Sequence, residues 1–264
     1  MQATLPRLLL FDLDDTLLHS NKIISDYTTN VLRACQQRGM LVCFATARGE
    51  SNILPFVEQV KPDIVVSSGG AMIRYHDEII DTQMFSGEET AAILRSGLQL
   101  MGHDCLMTVD TLDAYYGNYA GDATGILTGW GEVTAANFEE FHEPALKICV
   151  HLPGDDLARE VAAAVPGCDW LRFSGGQWYK FTKAKVTKES AAARLSDLLG
   201  IAPADMMAFG DDYSDIGMLR YCGTGVAVAN AISEVIAAAD VVVGSQDEDG
   251  PAVWLKQTVL RGVL

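Results

Sequence analysis

Short apolar runs alternate with amphipathic stretches through the first quarter of the chain. Residues 8–11, LLLF, suit a strand covered on both faces of a parallel sheet. Ser25 is placed to cap a helix through about residue 38, with Val31, Leu32 and Cys35 as its apolar stripe and Gly39 as its stop. Residues 41–45, LVCFA, read as a second buried strand and residues 64–67 as a third. Between them a helix is expected from about 50 to 59, with Pro55 kinking it or delaying its start. Strand, helix, strand, helix, strand is the order of a doubly wound parallel sheet, in which ligands collect at the carboxyl ends of the strands.

The rhythm changes at the Ser68-Gly69-Gly70 turn. Residues 71–75 and 79–82 can pair as a hairpin around His76-Asp77-Glu78, and residues 87–101 form an amphipathic helix. Short strands follow at 106–110 and 114–117, then a glycine-rich loop over 118–131. Residues 146–152, LKICVHL, alternate like a half-buried strand; a helix is expected over 155–165 and two strands at 168–173 and 178–181, around Gly175-Gly176. Such strands look antiparallel and half exposed. The first rhythm resumes at Thr187, which can cap a helix ending at Gly200. Strands at 206–209, 225–229 and 241–243 alternate with helices at about 214–221, 231–238 and 250–260. The expected organisation is an α/β sheet domain from residues 1–82 and 182–264, with an α+β domain, 83–181, inserted into it.

Composition narrows the classes. With 264 residues, 49% of them hydrophobic, the chain can bury a sizeable core. It has no apolar run of about 18 residues, and its start lacks the regions of a signal peptide. The six cysteines form no CxxC pair and several lie in strand-like runs, which points to reduced thiols in a cytoplasmic protein. A formal net charge of -16 argues against nucleic acid or anionic membrane as partners. An anionic substrate would need a local positive site. The pattern assigns no oligomeric state.

Charge gathers where strands end. Asp12, Asp14 and Asp15 crowd the end of the first strand, and Asp12 and Asp14, two positions apart, can share one crevice. Alone, such a cluster is more commonly a solvated turn. Here Thr46 follows the second strand, Lys188 opens the helix after the middle domain, and Asp211 and Asp215 follow the strand at 206–209. Carboxylates without paired cysteines suit Mg²⁺ rather than zinc. A hydroxyl and an ammonium beside Mg²⁺ suit a bound phosphate.

In order, FDLDDTLL, FATAR, VTKESAAARL and FGDDYSDIGML resemble the four motifs of the haloacid dehalogenase superfamily of phosphatases, and more narrowly its Cof-type, class IIB members. The resemblance spans the whole chain. It implies a Rossmann-like core, an inserted cap that closes over it and governs specificity, and a Mg²⁺-dependent phosphatase acting on small phosphorylated metabolites. It further implies Asp12 as nucleophile and Asp14 as general acid and then base. Thr46, Ala47 and Lys188 would bind the phosphoryl group. Asp12, Asp14 through its carbonyl, and Asp211 would hold the metal, with Asp215 completing or supporting that shell. Lys183 and Lys185 compete with Lys188, Thr46 has an alternative as a helix cap, Arg48 can equally touch the site or form a salt bridge, and Asp212 is expected to be solvated. Asp15 and Ala47 stand where relatives often have glycine, and Ser214 where they often have asparagine. Tyr115, Tyr116, Tyr119, Trp130, Trp178 and Tyr179 are candidates for the cap's core or for substrate stacking. A sugar phosphomutase and a non-catalytic phosphate-binding regulator are the alternatives.

Overall fold

A computed structural model describes residues 5–119, 133–173 and 176–261. The first part of the chain supplies β1 (Leu8–Phe11), α1 (Asp26–Gln37), β2 (Leu41–Ala45), α2 (Leu54–Val60), β3 (Ile64–Ser67), β4 (Met72–Tyr75) and β5 (Glu78–Thr82). The middle supplies α3 (Gly87–Met101), β6 (Met107–Asp110), β7 (Tyr115–Gly117), β8 (Thr134–Ala135), β9 (Lys147–His151), α4 (Asp155–Ala162), β10 (Cys168–Arg172) and β11 (Trp178–Lys183). The last part supplies α5 (Lys188–Leu199), β12 (Met206–Gly210), α6 (Ile216–Tyr221), β13 (Thr224–Val228), α7 (Ser233–Ala238), β14 (Val241–Val243) and α8 (Gly250–Thr258). Two compact units result: residues 1–47, 54–80 and 187–264 form one, and residues 48–53 and 81–186 the other.

The first unit is built on an eight-stranded sheet in the order β14-β13-β12-β1-β2-β3-β4-β5. From β14 to β3 every pairing is parallel, and β4 turns back antiparallel to β3. All four residues of β1 are buried, as a strand flanked on both sides and covered on both faces requires. Phe11 lies opposite Phe209 on β12 and the two rings stack with centroids 4.5 Å apart. Helix ends follow the local signals. Ser25 accepts from the Thr28 N–H at the start of α1, and Gly39 leaves the helix at φ +83°. At α5, Thr187 and Ser190 cap each other's backbone N–H and Gly200 ends the helix at φ +60°. Pro55 has its expected effect: residues 50–52 form one 3-10 turn, and α2 starts afresh with Pro55 as its second residue.

The second unit carries a six-stranded sheet in the order β10-β11-β9-β6-β7-β8. One face packs Met107, Val109, Ile148, Val150, Tyr179 and Phe181 against Ile93 and Leu94 of α3 and Ala158 and Val161 of α4. Two expectations fail here. The β7–β8 pairing is parallel, so the strands are not uniformly antiparallel. Residues 147–150 are all buried rather than alternately exposed. The polar members of that strand lie on the face opposite α3 and α4, where Lys147 meets Asp110 across the β6–β9 pair, with the ammonium 2.7 Å from the carboxylate. The middle helix ends at Ala162 rather than 165, and α7 begins at Ser233 rather than 231. Of the glycine-rich stretch only Asn118 and Tyr119 are described; residues 120–131, Trp130 among them, and Gly175 lie outside the described residues. Tyr179 is fully buried, with its hydroxyl donating to Asp155. No helix among the described residues is long and apolar enough to cross a membrane.

Candidate active site

Because β1 and β12 run parallel in register, the residues that follow them emerge at one edge of the sheet. The Asp12 N–H continues the ladder by donating to the Phe209 carbonyl at 3.0 Å. Asp211 stands two residues after Phe209, the β12 position facing Phe11, with Gly210 between them. That glycine is required. A β-carbon at 210 would collide with the side chain of Asp215, which folds back over the strand end. Lys188 arrives from the first turn of α5, which is drawn in by a second close approach. Gly70, at φ +109°, leaves no room for a β-carbon against the Thr187 carbonyl, and Arg194 of α5 donates to the Gly70 carbonyl.

The result is a buried polar knot. Lys188 Nζ donates to Asp12 Oδ1 at 2.6 Å and to Asp215 Oδ1 at 2.7 Å. Asp215, with no exposed surface, accepts through Oδ2 from the N–H groups of Asp211 and Asp212 at 3.1 Å each. Asp211 Oδ1 accepts from the Thr16 hydroxyl at 2.8 Å. One oxygen from each of Asp12, Asp211 and Asp215 lies within 4.8 Å of the others.

The electrostatics follow from this crowding. Burial opposes the Lys188 charge, but the carboxylates of Asp12 and Asp215 more than offset it and raise its pKa. Asp12 is pushed well up by burial, which Lys188 opposes and the carboxylates of Asp215, Asp211 and Asp14 reinforce. Burial and then Asp215 push Asp211 up to about 7, against the Thr16 hydrogen bond and Lys188. Three carboxylates face one ammonium. A hard divalent cation would restore the balance, and the all-oxygen donor set suits Mg²⁺.

Other residues named from the sequence divide. Thr46 is buried beside β2; its N–H donates to the Val66 carbonyl and its carbonyl accepts from the Gly69 N–H, both at 2.9 Å. The helical turn after it is capped by Gly49, so Thr46 is no helix cap. Ala47 is half-buried where the first unit breaks off, and Arg48 belongs to the second unit, where its charge opposes that of Lys147. Lys183 bonds Glu89 at 2.6 Å, which removes it as a rival to Lys188. Lys185 lies in the second unit, where its backbone N–H donates to the Asp169 carboxylate at 2.7 Å. The Asp14 carboxylate lies outside the three-carboxylate group and accepts from Lys22 Nζ at 3.2 Å. Asp212 is a correction: it is half-buried rather than solvated, because its side chain caps the turn over Tyr213–Asp215. Two contributors escaped notice in the sequence. Thr16 stood inside FDLDDTLL, and its place there was the available signal. Lys22 offered none beyond the turn-forming Ser20-Asn21 before it.

Comparison with known proteins places the chain in a family. The model of a family described as haloacid dehalogenase-like hydrolase matches residues 9–255. The phosphatase YitU of Bacillus subtilis (strain 168), named for 5-amino-6-(5-phospho-D-ribitylamino)uracil, is 26% identical over 278 residues, covering 96% of this chain and 98% of its own. Phosphatase YwpJ of the same organism is 24% identical over 298 residues, covering 95% of this chain and 99% of its own. Among solved structures, a subclass IIB sugar phosphatase of the superfamily matches with a TM-score of 0.82 at 24% identity, over 96% of this chain and 99% of that one. A haloacid dehalogenase-like hydrolase from Bacteroides thetaiotaomicron also gives a TM-score of 0.82, at 20% identity, over 96% of this chain and 99% of that one. With buried carboxylates and a lysine gathered at the carboxyl edge of a parallel sheet, and a match spanning nearly the whole chain, this protein belongs to the haloacid dehalogenase-like hydrolase family.

Proposed function

We propose that this phosphatase hydrolyses small phosphomonoesters, sugar phosphates or similar metabolites, in the cytoplasm and with Mg²⁺ as its ion. The observation that carries the reading is the contact of Lys188 Nζ with both Asp12 and Asp215, at 2.6 and 2.7 Å, inside a group of three buried or half-buried carboxylates. The phosphorylated ribityl chain named for YitU is a substrate of this class.

Asp12 and Asp211 would hold Mg²⁺, joined by the Asp14 carbonyl, with Asp215 supporting the shell. When bound, the ion supplies positive charge against the phosphoryl oxygens. Lys188 occupies Oδ1 of Asp12, which leaves Oδ2 to attack phosphorus. As the Asp12–phosphorus bond forms, the bond to the leaving oxygen breaks and Asp14 gives that oxygen its proton. Water then attacks phosphorus, passes a proton to the Asp14 carboxylate, and frees Asp12. The Thr46 hydroxyl, the Ala47 backbone and the Lys188 ammonium would receive the phosphoryl oxygens, so that positioning and charge neutralisation provide most of the rate.

The test is a panel of sugar phosphates and p-nitrophenyl phosphate. Inorganic phosphate should be released with Mg²⁺, lost with EDTA, and restored by added Mg²⁺. An isomerised sugar phosphate without free phosphate would make the protein a mutase. No turnover across the panel would leave phosphate binding alone.

A further inference from the structure

The turn after β1 holds two residues in a conformation that side chains resist. Asp15 takes φ +56° where the N–H groups of Thr16, Leu17 and Leu18 converge on the Leu13 carbonyl. Lys22 takes φ +61° in a second turn, closed by the Lys22 N–H donating to His19 and the His19 N–H donating to Ile23. Left-handed backbone at residues other than glycine persists where surroundings enforce it, and such strain gathers at working sites. Here one side chain ties both turns. Lys22 Nζ reaches Asp14 Oδ1 at 3.2 Å and Asp15 Oδ1 at 3.3 Å. On the other side of the turn, Asn230 Nδ2 donates to the Asp15 carbonyl at 2.7 Å, and Asn230 Oδ1 accepts from the Gln246 N–H at 3.1 Å. The backbone of the turn is therefore anchored, while its two carboxylates share one ammonium.

Sharing makes the hold of Lys22 on Asp14 loose. Both Lys22 contacts exceed 3 Å, and the Lys22 and Asp14 side chains are 38% and 27% exposed, so water competes for them. Asp14 nevertheless stands outside the group formed by Asp12, Asp211 and Asp215. We infer that Lys22 is a positioning residue that holds the Asp14 carboxyl group back from the Asp12 centre, and that Asp15 draws on the same ammonium and eases Asp14's release. The inference rests on the reading of Asp14 as the group that protonates the leaving oxygen.

That role makes the hold visible in one comparison. An alkyl phosphate leaves as a strongly basic alkoxide and needs the Asp14 proton, whereas p-nitrophenolate departs without it. The kcat/KM value covers steps only through departure of the first product. The ratio of kcat/KM for glycerol 1-phosphate to that for p-nitrophenyl phosphate therefore reports the Asp14 step alone. Lys22→Met should raise this ratio about threefold, the scale of a partly exposed ion pair. Asp15→Gly, which suits the left-handed turn, should lower it roughly twofold by giving Lys22 wholly to Asp14. In the Lys22→Met background, Asp15→Gly should leave the ratio unchanged. A ratio unchanged or lowered in Lys22→Met, with the melting temperature retained, overturns the hold. An Asp15→Gly effect of equal size with and without Lys22 overturns the sharing. The phosphatase reading fails separately, if the unaltered protein with Mg²⁺ turns over neither substrate or if Asp14→Asn leaves the ratio unmoved.

Discussion

Each compact unit buries a lysine against a carboxylate, and the two arrangements differ in what they leave undone. Lys147 and Asp110 are cross-strand neighbours in register on β9 and β6, each only 2% exposed, with Arg48 and Lys180 as further buried cations of the same unit. Lys188 and Asp12 come together from positions 176 apart, at strand ends rather than on a sheet face. There one ammonium faces three carboxylates. An ion pair fixed by register on a rigid ladder, among other cations, serves structure. A set at strand ends in which carboxylates outnumber the ammonium is poised to take up a cation and to form a new bond, because negative charge there is in excess.

The sharpest way to break this contrast is Asp12→Asn. Turnover of p-nitrophenyl phosphate should fall by roughly 10⁴-fold or more, because no alternative nucleophile is in place, while the melting temperature shifts little. Substantial activity in that variant would end the distinction between the two lysine sites. Breaking the other pair should act on stability. Lys147→Met should cost about 3–5 kcal/mol in urea unfolding, and adding Asp110→Leu should recover most of it. A single variant as stable as the parent would show that the sheet-face pair is not a buried ion pair in solution. Next in size, Asp211→Asn should raise the Mg²⁺ concentration for half-maximal activity on the order of tenfold to a hundredfold. An unchanged requirement would take Asp211 out of the metal site.

The smallest effect sharpens the comparison through the thiols. Burial pushes Cys35 and Cys105 up to about 11 and Cys168 and Cys222 up to about 12, and it raises Cys43 and Cys149 too. The thiolate is the reactive form, so a thiol reagent at pH 8 should find only about one thiolate per 10³ molecules at the former pair. Native protein should react slowly and all six cysteines should react in denaturant. Cys149 lies beside Lys147 on the same strand. Its rapid labelling would mean that this face of the sheet is open to water.

Most of the first unit was legible because its signals are local. A four-residue apolar run, a Ser or Thr cap and a glycine stop each declare an element within a few residues, and the four quoted motifs mark the strand ends. The middle of the chain was harder. LKICVHL looks half-buried when read alone, and the burial of Lys147 depends on Asp110, which lies 37 positions earlier and opposite it in register. Asp212 looked solvated because its role as a cap appears only once Asp215 folds back. Lys22 was invisible for a similar reason. Its side chain returns to Asp14 through a left-handed backbone that HSNKII does not announce. The same holds for Asn230, whose amide bridges the Asp15 carbonyl and the Gln246 N–H only once the chain is folded.

The central place of β1, between β2 and β12, has a consequence for synthesis. The second strand completed by the ribosome covers one side of LLLF, but the other side waits for Met206–Gly210, late in the chain. A nascent or truncated polypeptide ending before that point presents an unpaired hydrophobic edge at what becomes the middle of the sheet, open to pairing with a second molecule. Shielding of that edge by a chaperone during translation would then govern how much of the protein reaches its native state.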